Sequence, residues 1–188
     1  MLPAEIRKHL REARKDQNIT LAGIAGIGDA GGMLIADGRS ILLVDKEEAI
    51  EVFQRRDLWP EIPLEPGKVW VYRDEAAPYE PDDPEGIIDT WQACTAVKAL
   101  KQLDLAEWVR IMPSGEFAYL VVFPGGEKAH VPGHYLWLVS GDPRPLKYYG
   151  TTPDAPIVVA VGPGLTVAVI HPCSLSAFED LPTPGSLV

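Results

Sequence analysis

Hydrophobic and polar positions follow two periods along this chain, and the changes between them mark out the predicted elements. At about 100° per residue, Ile88, Ala93, Ala96, Val97, Ala99, Leu100 and Leu103 fill one arc, with Thr95, Lys98, Lys101 and Gln102 opposite. Asp83 ahead of Pro84 supplies the N-cap and first-turn proline of such a helix. A long central helix is therefore predicted from Asp83 to about Leu105. It feeds a hairpin of Trp108–Met112 and Phe117–Phe123 around Pro113-Ser114-Gly115.

Shorter patterns fill the rest of the chain. Ile6, Leu10 and Ala13 predict an amphipathic helix over 3–16, and Asp45 with Glu48 forms a capping box for a second short helix that stops near Trp59-Pro60. Met33–Ala36 and Ser40–Val44 flank Asp37-Gly38, the chemistry of a tight type I′ hairpin turn. Lys68–Arg73, Tyr135–Val139 and Leu146–Tyr149 read as strands. Ile157–Val161 and Leu165–Ile170 are apolar on both faces around Gly162-Pro163-Gly164, which predicts a hairpin at the centre of a sheet. The expected fold is α+β: a mostly antiparallel sheet of about eight strands, one long central helix and two shorter ones. Residues 1–188 are expected to form a single domain, with a candidate subdomain boundary in the acidic, proline-containing loop 74–83.

Composition narrows the function classes. Hydrophobic residues make up 46% of the 188, which predicts a globular chain with a substantial core. The longest apolar runs fall short of the ~20 residues that span a bilayer, and no apolar leader-like run opens the chain. The two cysteines, Cys94 and Cys173, are too few for a disulfide scaffold, so a reducing, cytoplasmic setting is expected.

Charge is uneven. The net charge of −10 argues against nucleic acid as a partner, since phosphate binding relies on clustered Lys and Arg. Residues 1–16 nonetheless carry Arg7, Lys8, Arg11, Arg14 and Lys15 against Glu5, Glu12 and Asp16. Residues 74–89 hold Asp74, Glu75, Glu80, Asp82, Asp83, Glu85 and Asp89 without a basic residue. A basic segment and an acidic one in the same chain suggest a charge-driven contact, with a protein partner or in self-association.

Motifs with chemistry are sparse. Gly26-x-Gly28-x-x-Gly31 matches a dinucleotide fingerprint as a string, but a strand follows where the helix that meets pyrophosphate is required. No G-x-S-x-G, Walker A, H-E-x-x-H or C-x-x-C occurs. Adjacent carboxylates such as Asp82-Asp83 diverge rather than converge on a reacting atom.

Two functional expectations follow. The first is a non-catalytic interaction or assembly protein (a subunit, adaptor or inhibitor), binding a protein partner through Asp74, Glu75, Glu80 and Asp82. Trp91, on the polar side of the predicted central helix, and Tyr148 and Tyr149, near a strand end, would be its exposed aromatics. The alternative is a small metal-dependent hydrolase in which His130, His134, His171 and Cys173 hold zinc, three imidazoles and a thiolate suiting that ion.

Overall fold

The computed structural model describes residues 19–24, 32–45, 65–72, 79–83, 86–97, 99–111, 117–140, 145–161 and 165–172. They form one ten-stranded sheet whose strand pairings are antiparallel. The strands are β1 (Ile19–Ile24), β2 (Gly32–Ala36), β3 (Ser40–Asp45), β4 (Val69–Tyr72), β5 (Lys101–Ile111) and β6 (Phe117–Val122). They continue with β7 (Lys128–Pro132), β8 (Lys147–Gly150), β9 (Ile157–Val161) and β10 (Leu165–Ile170). In space the order runs β4-β1-β2-β3-β10-β9-β8-β5-β6-β7, so the pairing of β3 with β10 joins the residues before and after the acidic stretch. Among the described residues there are two short helices, α1 (Gly86–Thr95) and α2 (Gly133–Ser140).

The expected long central helix is not there. Helix α1 ends at Thr95, and β5 begins at Lys101. Thr95 Oγ donates to the Trp91 carbonyl at 2.8 Å, the back-bonding by which threonine competes with continued helix. The stretch Lys101-Gln-Leu-Asp-Leu105 also alternates with period two, and Gln102 and Leu103 pair with Tyr149 and Tyr148. A second correction concerns Tyr135–Val139, expected as a strand, which lies inside α2. An unbroken apolar run has no period of its own, so it suits a buried helix as well as a buried strand. The α+β expectation is thus replaced by a largely β fold. The helix expected over 3–16 lies outside the described residues, as does the body of the one expected from Asp45.

Alternation along the strands divides the core into two layers. Leu21, Met33, Ile35, Leu42, Ile157 and Val159 point to one face, where Tyr135 and Leu136 of α2 join them. Ala22, Leu34, Ile41, Val158 and Val169 point to the other, against Trp91, Ile87, Ile88 and Cys94 of α1. The helices therefore cover opposite faces. Helix α2 touches β6 and β7 as well as β10. In a flat sheet β10 and β7 would lie ~24 Å apart at the ordinary strand spacing. A helix about 12 Å long reaches both only if the sheet curls round it. Breaks in register between Leu105 and Val109 of β5, and between Thr166 and Ala168 of β10, supply local bending.

The Asp37-Gly38 hairpin forms with its turn displaced by one residue. Ala36 pairs with Ile41, Asp37 N–H donates to the Ser40 carbonyl at 3.3 Å, and Gly38-Arg39 is the central pair. Gly38 has φ +85°, at the first central position, where a type II′ turn calls for glycine. Asp37 Oδ1 accepts the Arg39 N–H at 3.1 Å, the Ser40 N–H at 2.9 Å and the Ser40 Oγ–H at 3.1 Å. Those bonds make Asp37 a turn-former in place of a central turn residue. The predicted pair β9–β10 sits at the middle of the sheet, as its two apolar faces require.

Candidate functional site

Strand β4 ends the sheet on one side, and the acidic stretch returns along that edge. Val71 N–H donates to the Tyr79 carbonyl at 2.8 Å, and Tyr79 N–H donates to the Val71 carbonyl at 3.1 Å. Because Thr20 pairs with Val71, the three residues Thr20, Val71 and Tyr79 form one row across the sheet. Tyr79 is 48% exposed. Glu80, Asp82 and Asp83 follow it, all exposed, and lead to the start of α1, where Gly86 N–H donates to the Asp83 carbonyl at 3.4 Å. A phenol ring and three carboxylates are thereby held on a backbone that the sheet edge anchors. Asp74 and Glu75 lie outside the described residues.

The aromatics expected beside this acidic stretch are placed differently. Trp91 is buried on the α1 face of the sheet. A helical period carried over 83–105 places it on the polar side because that span takes in residues of β5. Over Gly86–Thr95 alone, Ile87, Ile88, Trp91 and Cys94 form the inward stripe. Tyr148 is 1% exposed and belongs to the opposite layer, while Tyr149 is half-buried against the α1 layer. Tyr79 is the aromatic that the sequence reading missed. Its signal was available: it is the one aromatic residue within the run 74–89.

The histidines are spread over separate elements. His130 is buried on β7 opposite Leu120, on the other side of the strand from Ala129 and Val131. His134 lies in the first turn of α2, half-buried, its ring centroid 3.9 Å from that of Tyr135 at 44°. His171 is exposed just past β10, its N–H donating to the Arg39 carbonyl at 2.9 Å. Among the described residues no three of His, Cys, Asp and Glu gather as metal ligands. Cys173 lies outside those residues. Gly26–Gly31 does too, but it connects antiparallel neighbours β1 and β2, which leaves no place for the crossover helix of a dinucleotide fold.

A groove of about 360 Å³ opens where the β2–β3 turn, the first turns of α1 and the end of β10 meet. Its walls are mainly apolar, from Ile41, Ile87, Pro156 and Val169, with Arg39, Thr90 and His171 at the rim. The polar groups beside it are engaged locally: the Ser40 hydroxyl by Asp37, and Thr90 Oγ–H by the Gly86 carbonyl at 2.6 Å. That arrangement suits apolar contact with a charged margin and sets no activated nucleophile. Cys94, a free thiol on α1, is half-buried, and burial pushes its pKa above the ordinary thiol range. It is a core side chain in chemistry as well as in place.

Among the described residues no helix is long and apolar enough to cross a membrane. Compared with known protein families, curated proteins and solved structures, the chain shows no match.

Proposed function

We propose that this protein is a non-catalytic interaction or assembly protein that binds a basic segment of a protein partner at the β4 edge. The observation that carries the reading is the Val71–Tyr79 bridge, which presents Tyr79, Glu80 and Asp82 together at the end of the sheet. An aromatic ring beside carboxylates offers a lysine or arginine both stacking and charge. The net charge of −10 favours encounter with a basic partner over long range. Trp91 and Tyr148 take no part in this surface, since they are buried. Two cysteines, one of them a free thiol, support a reducing, cytoplasmic setting for that contact.

The test is direct. A labelled oligo-arginine peptide, followed by fluorescence anisotropy, should bind the wild type more tightly at 0.1 M than at 1 M salt, where the Debye length falls to ~3 Å. Glu80→Lys with Asp82→Lys should weaken binding by about three- to tenfold, the size expected for two exposed pairs. Equal affinity for both proteins at low salt would remove the proposal. Affinity capture with wild type and the double variant, compared by mass spectrometry, then identifies the partner as the species lost.

A further inference from the structure

We infer that the groove beside α1 binds a small aliphatic carboxylate, its charged end held by Arg39 and His171 and its tail laid along the apolar wall. Strand register places the two basic side chains. Ile170 pairs with Ser40, and His171 N–H donates to the Arg39 carbonyl at 2.9 Å, so Arg39 and His171 stand opposite one another. Ile41 and Val169, two residues away along the chain, pack in the α1 layer. Period-two alternation brings Arg39 and His171 back to that same face, and both line the groove. An arginine and a histidine directly opposite repel once the imidazole is charged, and an anion between them turns that repulsion into two attractions. Two carboxylates of nearby turns lie outside the groove lining: Asp37 Oδ1 accepts the Arg39 and Ser40 amides, and Asp83 sits beside Gly86.

The rest of the groove selects the tail. Ile41, Ile87, Pro156 and Val169 form the wall, with no phenyl, phenol or indole ring among its described residues on which a flat ligand would stack. The hydroxyl protons at hand are already given away, Ser40's to Asp37 and Thr90's to the Gly86 carbonyl. A peptide group buried there would go unpaired, whereas an alkyl chain asks for no partner. The volume of about 360 Å³ has room for roughly twelve groups at the ~30 Å³ that one water takes in the liquid, enough for octanoate.

Titration of the full chain with octanoate, followed by amide NMR shifts, tests this. Saturable shifts should gather at 39–41, 86–90 and 169–171. Each CH₂ added from butanoate to octanoate should tighten binding about two- to fourfold. Octanol should bind about tenfold more weakly than octanoate. A net charge of −10 favours no anion, so that preference reports Arg39 and His171. Arg39→Gln should weaken octanoate about fivefold and leave octanol unchanged. Arg39→Glu should reverse the preference, taking octylammonium over octanoate. Thr90→Phe, at an exposed helix position, fills the groove and should abolish binding of both octanoate and octanol. The inference is overturned if millimolar octanoate produces no saturable shifts, or if Arg39→Gln and His171→Gln bind octanoate as the wild type does. Tighter binding of acetyl-Leu-Val than of octanoate would overturn it too, because the groove would then read a peptide chain end.

Discussion

Val71 and Tyr79 exchange two backbone hydrogen bonds, 2.8 and 3.1 Å long, and so tie the acidic stretch to the last strand of the sheet. An isolated bridge of this kind anchors a segment at one point and leaves the residues beyond it on the surface. Tyr79→Pro removes the donor and should lower stability by only about 0.5–1.5 kcal/mol, as an edge hydrogen bond does. Affinity for a basic peptide should fall further than the melting point suggests. A variant that binds as the wild type does would show that the bridge has no part in recognition.

Gly38→Val places a β-branched residue at φ +85°. The space around the position is open, so the penalty is backbone strain alone, about 1–2 kcal/mol. Urea denaturation should show the midpoint lowered with an unchanged slope. A midpoint equal to wild type would mean that the turn relaxes to another type.

Gly150 is the opposite case. A methyl group there would meet Ile157 Cδ1, Leu103 Cδ1 and Phe123 Cε1, each at 3.2 Å. Those atoms come from β9, β5 and the residue just past β6, in the layer that α2 covers. Gly150→Ala should therefore destabilise by about 1–3 kcal/mol through overpacking, although alanine suits a strand better than glycine does. Stabilisation on thermal melting would show that the layer is looser than these distances imply.

Trp91→Ala separates a core tryptophan from a recognition tryptophan. Loss of a ring packed on Ala22, Leu34 and Val169 should cost about 3–5 kcal/mol. The emission maximum of the wild-type protein should shift to the red when α1 is unfolded. If the substitution leaves stability intact but abolishes peptide binding, Trp91 belongs to the surface after all.

Cys94 titrates above the ordinary thiol range because burial disfavours its thiolate. At pH 8 its alkylation by iodoacetamide should be slower in the folded protein than in urea. The folded pKa being the higher one, the unfolded chain loses this proton first. Stability should then hold below the ordinary thiol pKa and decline as pH rises from there through the raised pKa of the folded state. A native alkylation rate matching the urea rate would contradict the burial.

Much of the sheet is legible in the residues alone. The apolar runs at 33–36, 40–44, 157–161 and 165–170 are strands, and the Asp37–Ser40 turn between the first two is local chemistry that a few neighbours decide. Lys101–Leu105 is different, since its pattern satisfies both periods; its partners Tyr148 and Tyr149 lie more than forty residues away in the chain and settle it as a strand. Tyr135–Val139 became a helix because the curled sheet offers α2 a concave face to fill.

The candidate site divides in the same way. Net charge, the carboxylates of 74–89 and the absence of catalytic motifs are properties of the chain as written. Which aromatics face water is not. Trp91 and Tyr148 are apolar enough to bury, and the packing of α1 and of β8 buries them, whereas the edge position of Tyr79 leaves its ring in solvent. The physical reason is the range of the interactions. Turn geometry and charge depend on residues next to one another, while strand pairing and burial depend on surfaces that only the folded sheet brings together.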